Sequence, residues 1–142
     1  MTTVFLKQLL KYTNNTMQSI TSNHDVVTTT DRLEAIIKGK GFNLAARVDH
    51  AGAAAKVGLE LRPSQLLIFG NPKVGTLLMQ AEQSVGLDLP LKFLVWQDEI
   101  GTTQISYDEP LRIKERRNVI GKDEVFEKVT NALSGMATAA AS

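Results

Sequence analysis

The strongest periodicity in the chain is helical. Leu33, Ile36 and Ile37 stand at i, i+3 and i+4, Thr28 or Thr29 is placed to cap, Asp31 and Glu34 put acid in the first turns, and Gly39 and Gly41 supply the stop. From Phe42 the period drops to two. Phe42, Leu44, Ala46 and Val48 alternate with Asn43, Ala45, Arg47 and Asp49, the pattern of a half-buried strand. A looser alternation from Met17 to Thr21 predicts an earlier strand, and the alanine-rich stretch from Ala51 to Val57 predicts two helical turns before Gly58. The apolar run Leu66-Leu67-Ile68-Phe69, between Pro63 and Gly70, predicts a strand buried on both faces at the centre of a sheet. Asn71-Pro72 reads as an N-cap followed by proline at the first helical position, with Leu77, Leu78 and Ala81 as the buried stripe.

Leu91 to Gln97 and Thr102 to Tyr107, joined by Asp98-Glu99-Ile100-Gly101, predict an antiparallel hairpin. Phe93 and Val95 face one way, Leu94 and Trp96 the other, and Thr102, Gln104 and Ser106 form a polar set that meets water. Arg112 to Arg117 is a charged helical turn, and Asp123 caps a last helix on the stripe Phe126, Val129 and Leu133. No repeat or linker divides these elements. The organisation they predict is one α+β domain over residues 17–134, with flexible ends at 1–16 and 135–142, the latter small-residued and low in complexity.

A length of 142 residues suits a single core. With 43% hydrophobic and 22% charged residues the chain has ordinary globular usage, and a formal charge of +1 with no long basic run does not favour nucleic acid as a partner. The absence of cysteine excludes disulfides, thiolate nucleophiles and cysteine metal sites. The apolar start from Val4 to Leu10 is short and interrupted by Lys7, so no signal peptide or membrane segment is expected, and a cytosolic setting is the simplest reading.

Few residues point to chemistry. His50 follows Asp49 at a strand end, where an imidazole near a carboxylate suits a general base, although neighbours on a strand face opposite ways and a structural role is favoured. His24 lies in a polar loop, and no motif joins the two histidines into a zinc site. Gly70 and Gly75 have the spacing of P-loop glycines between a strand and a helix, but Thr76 and Leu77 stand where lysine and a hydroxyl residue are required. Asn71, Lys73 and Thr76 still mark a helix start where an anion would meet backbone N–H groups, against the plainer reading of a well-capped helix. Asp88, held near Pro90, suits acid–base work if it faces a cleft, although such an aspartate more often bonds its own turn. Trp96 and Tyr107 are packing residues that each need one hydrogen-bond partner, and the charges from Arg112 to Arg117 read as a solvated face.

Five segments taken in register carry a resemblance: Ala46-Arg47-Val48-Asp49-His50-Ala51, Val57-Gly58-Leu59-Glu60-Leu61-Arg62-Pro63, Leu67-Ile68-Phe69-Gly70-Asn71-Pro72-Lys73, Gly75-Thr76, and Leu87-Asp88-Leu89-Pro90-Leu91. In order and spacing the chain resembles the Domain of Unknown Function 302 family from Met17 to Leu133. The resemblance implies a TATA-binding-protein-like fold, a curved antiparallel sheet with helices on one face, and it implies no reaction. In one place the chain departs from the family: an Arg-His pair is common after the last strand, where Glu115-Arg116-Arg117 stands here. An activity that needed that histidine would be absent.

No nucleophile–base pair, metal cluster or cofactor fingerprint is complete, so the leading expectation is a non-enzymatic ligand-binding or protein-interaction module without a cofactor. His50, Asn71, Lys73, Thr76 and Asp88 are its candidate contacts to a small anionic ligand. The alternatives are a small enzyme acting on a phosphorylated or carboxylated metabolite, with His50 or Asp88 as acid or base, and a purely structural homodimer. A homodimer is expected in any case, since a partly covered sheet completes its burial by two-fold pairing.

Overall fold

A computed structural model of the protein describes residues 17–142, so the expected extension at 1–16 lies outside the described residues. Five strands, β1 (Met17–Ser22), β2 (Asn43–Asp49), β3 (Ser64–Gly70), β4 (Leu91–Gln97) and β5 (Thr103–Asp108), form one sheet in the order β1-β5-β4-β3-β2. Every neighbouring pair is antiparallel. The helices are α1 (Val26–Gly39), α2 (His50–Lys56), α3 (Pro72–Ala81), α4 (Leu111–Arg117) and α5 (Asp123–Ala141), with a 3₁₀ turn at Gln83–Leu87.

The core lies between one sheet face and the helices α1 and α5. Leu67, Phe69, Phe93, Val95, Ile105 and Tyr107 from the sheet meet Val26, Leu33 and Ile37 of α1 and Val129, Leu133 and Met136 of α5. An aromatic row crosses it. Phe42 meets Phe69 edge-on at 5.7 Å, Phe69 stacks on Phe93 at 5.1 Å, and Phe93 meets Tyr107 edge-on at 5.3 Å. These are the favourable geometries for aromatic quadrupoles.

β3 is interior, but the middle strand is β4. Only one face of β3 is fully buried: Leu67 and Phe69 point into the core, whereas Leu66 and Ile68 are half-buried on the opposite face, which α1 and α5 leave uncovered. The strict alternation expected of β2 is broken by a bulge between Leu44 and Ala46. Leu44 pairs with Phe69 on the helix-covered face, while Ala46 and Val48 pair with Ile68 and Leu66 on the other. The extra residue turns Arg47 toward α1, where it meets Asp31 at 2.6 Å and Glu34 at 3.7 Å. Those two acids therefore join helix to sheet instead of serving the helix dipole. The cap of α1 is Asp25, accepting from the Thr28 N–H at 2.8 Å; Thr29 and Thr30 lie inside the helix and are buried.

The hairpin forms as expected. Asp98 Oδ1 accepts from the N–H groups of Ile100 and Thr102, and Gly101 takes a φ of +87° that a side chain would resist. Ser106, however, does not meet water. It is buried on the open face, where its hydroxyl accepts from Trp96 Nε1 at 2.8 Å and shares a proton with Ser19 Oγ at 2.7 Å.

The segment expected to fray after Ser134 is the end of α5. Met136, Ala137, Ala140 and Ala141 are buried, because small residues let α5 approach α1 and β1 closely. The helix end is held as well. Arg32 of α1 donates to the carbonyls of Ala139, Ala140 and Ser142, and His24 Nε2 lies 2.8 Å from the Ser142 carbonyl oxygen. A cation at a helix C-terminus satisfies free carbonyls and complements the dipole.

Candidate functional site

The sequence marks the start of α3 as the anion site, and its donors are already used. Asn71 Oδ1 accepts from the N–H groups of Lys73 at 3.1 Å and Val74 at 3.4 Å, the Asn71 carbonyl accepts from Gly75 N–H at 2.9 Å, and Pro72 has no N–H. What α3 offers instead is a wall. Of its ten residues only Leu78 is buried; Leu77, expected in the core stripe, is 37% exposed. The reason is that α3 packs on the 3₁₀ turn behind it and stands away from α5.

The space between them is an apolar cleft of about 640 Å³. Val74, Leu77 and Leu78 of α3 form one wall, Val125, Phe126 and Val129 of α5 the other, and Phe42 and Leu91 lie along the sheet side. Asn43, Asn71, Lys73 and Lys128 are its polar residues. Lys73 and Lys128 are exposed, and among the described residues neither ammonium has a hydrogen-bond or ion-pair partner.

The other candidates are dispersed. His50 is exposed at the far end of β3 from Asn71: Asp49 pairs with Gln65 and Asn43 with Gly70, a separation of about 17 Å along the strand. The helix that begins at His50 is capped by Asp49, whose side chain accepts from Gly52 N–H at 2.9 Å. Thr76 is exposed and does not line the cleft. Asp88 does not bond its own turn: Arg116 Nη1 takes one carboxylate oxygen and Arg117 Nε the other, the latter at 2.7 Å. Its side chain is 11% exposed. Burial works against its charge, but the hydrogen bonds and charges of Arg117 and Arg116 prevail and hold its pKa below the ordinary aspartate value.

Sequence reasoning missed Lys128, the cleft and the Asp88 cluster. Asp88 and Arg117 stand 29 positions apart with no motif joining them, and a cleft made by a helix that fails to close leaves no periodic signal.

A family model described as "Domain of unknown function DUF302" matches residues 18–136. The chain belongs to the DUF302 family. A solved DUF302 structure, that of an uncharacterized conserved protein from Bacillus stearothermophilus, superposes with a TM-score of 0.79 at 22% identity, covering 87% of this chain and 97% of that one; at that identity it speaks for the fold alone. Among curated proteins the chain is similar to "Fluoride-specific ion channel FluC 1" of Brucella suis biovar 1 (strain 1330), 37% identical over 120 residues that make up 84% of this chain and 47% of the relative. It is equally similar to the protein of the same name from Brucella abortus biovar 1 (strain 9-941), covering 44% of it. The chain thus spans about half the length of the curated relatives it matches.

In this DUF302 chain Arg117 is a partner of Asp88. The pair makes a pH-dependent contribution to stability. Because the folded pKa of Asp88 lies below its unfolded value, the contribution is present above that unfolded value and is lost as pH falls through the folded pKa. Asp88→Asn is expected to cost about 2 kcal/mol at pH 7, discounted for the exposure of Arg116. In urea titrations the gap between the two proteins should begin to narrow below about pH 4 and close further as pH falls; a gap of equal size at pH 3 and pH 7 would contradict this account.

Proposed function

We propose that this domain is a non-enzymatic binding module whose cleft between α3 and α5 holds a small amphipathic anion, an apolar body carrying a carboxylate or phosphate group. The observation that carries the reading is the pairing of a largely apolar cleft of about 640 Å³ with two lysines, Lys73 and Lys128, that have no partner among the described residues. Small-molecule sites are typically of this size, apolar in lining, with a few polar groups that fix orientation. The apolar body displaces poorly held water from Val74, Leu77 and Val129, and either lysine meets the anionic end. The cation contributes modestly, since both lysines are solvated and screened by salt.

Medium-chain carboxylates such as decanoate are therefore expected to bind with an enthalpy measurable by titration calorimetry. Leu77→Asp, a substitution at an already exposed position, should weaken binding at least about tenfold by placing a charge in the cleft, while the combined Lys73→Ala and Lys128→Ala change should weaken it less. Unchanged affinity in Leu77→Asp would remove the cleft from the account. The enzymatic alternative is less well supported, because Asp88 is kept ionised by two arginines and His50 stands at the other end of β3.

The channel relatives extend this reading. Their matched stretch is 37% identical to this domain, in which, among the described residues, no helix is long and apolar enough to cross a membrane. We propose that the conducting path their name implies belongs to their other half, and that the DUF302 part serves beside it as a ligand-responsive module. For the present chain a cytosolic setting belongs to the same proposal.

A homodimer is also proposed. Val57, Leu59 and Leu61 are 72%, 66% and 54% exposed, beside an α2 that buries none of its residues. Two-fold pairing of this patch would remove it from water. Sedimentation velocity at micromolar concentration should give a dimer, and Leu59→Glu with Leu61→Glu a monomer; a wild-type monomer would contradict it.

A further inference from the structure

β4 and β5 do not stay together. Their ladder runs from Gln97 paired with Thr103 to Leu94 paired with Ser106 and stops there, although β4 reaches back to Leu91, still paired with Phe69 of β3, and β5 continues to Asp108, still paired with Met17 of β1. The two strands part, and a pocket of about 300 Å³ opens at the parting. Its inner wall is apolar, from Leu66 and Leu94. Its charged residues are Lys92 and Arg116 with the carboxylates of Asp88 and Asp108, and Arg112, which is itself paired with Glu115 at 3.7 Å.

We propose that this split is a second site, which adjoins the apolar cleft and shares Pro90, Leu91 and Ile113 with it, and that it binds a small oxyanion of the phosphate or carboxylate class. The arrangement around Asp88 is what makes it a site. Both carboxylate oxygens of Asp88 are occupied, one by Arg116 Nη1 and one by Arg117 Nε, so Asp88 fixes the Arg116 guanidinium and leaves Lys92 unneutralised. Nε and Nη2 of Arg116 have no partner among the described residues, nor has the ammonium of Lys92. An orientated guanidinium with one free edge, carrying Nε–H and Nη2–H, matches the spacing of oxygens in a phosphate or carboxylate, and it loses little freedom on binding because Asp88 already holds it. Asp88 is thus a positioning residue here, acting through Arg116. The plainer alternative, a charge cluster that only solvates the end of the sheet, leaves unexplained why the strands part at the point where the cations collect.

The test is an NMR titration of the full chain at low ionic strength with inorganic phosphate and, separately, malonate. Saturable shifts are expected in the side-chain Nε–Hε signal of Arg116 and the amides of residues 92 and 106–108, with the larger response to one probe showing which oxyanion class the site prefers. Arg116→Gln should weaken the response about tenfold, the loss of one charge-assisted bidentate contact. Lys92→Gln, at an exposed residue with no partner among the described residues, should weaken it less and keeps the test valid if Arg116→Gln unfolds. Leu77→Asp in the cleft should leave it unchanged, which separates failure of this site from failure of the cleft. No saturable shift with either probe, or equal shifts in wild type and Lys92→Gln together with Arg116→Gln, would overturn the proposal.

Discussion

Replacing Phe93 by alanine is expected to cost about 3–5 kcal/mol of stability, enough to leave a marginal domain largely unfolded at body temperature. Phe93 is wholly buried on the middle strand, stacked on Phe69 and met edge-on by Tyr107, so its loss removes two aromatic contacts as well as buried area. The surroundings cannot collapse into the space, because the backbone of β4 is held by β3 and β5 on either side. Chemical denaturation should show the midpoint fall with the slope preserved. Phe93→Leu, which keeps most of the volume, should recover much of the loss. A cost below about 1 kcal/mol for Phe93→Ala would mean that the aromatic row is not the centre of the core.

Ending the chain at Ser134 is expected to destabilise the fold by more than about 4 kcal/mol, since Met136 alone is a fully buried side chain and Ala137, Ala140 and Ala141 go with it. The truncation also removes the carbonyls that Arg32 and His24 serve and leaves the helix side of β1 open. Arg32→Met, which removes only the helix-end contacts and keeps the apolar stem, separates the two contributions and should cost about 1 kcal/mol. If the truncated protein melts at the wild-type temperature, residues 135–142 are the loose tail that their composition first indicates.

That tail illustrates where sequence reading stops. Alanine and serine are poor markers of burial, yet they are what a helix uses to come close to its neighbours, so the last two turns of α5 look like low complexity. The α1 stripe, the hairpin and the alternation of Phe93 with Leu94 were legible because apolar and polar positions follow the backbone period. The bulge in β2 was not, because an inserted residue keeps the alternation in the sequence while exchanging faces in the sheet, which is how Arg47 reaches α1. The site was legible only in part. Asn71 and Lys73 lie at the right helix end, but capping consumes the N–H groups that suggested an anion there, and the binding space comes from distances between helices that one-dimensional patterns do not carry.

The central claim, that the cleft between α3 and α5 holds an amphipathic anion, is tested most directly by following methyl and amide resonances while decanoate is added. The account predicts saturable shifts concentrated in the methyls of Val74, Leu77, Leu78, Val125 and Val129, residues of both cleft walls, with His50 and the hairpin turn around Gly101 unmoved. Shifts centred elsewhere, or none at concentrations well below the micellar range, would contradict it.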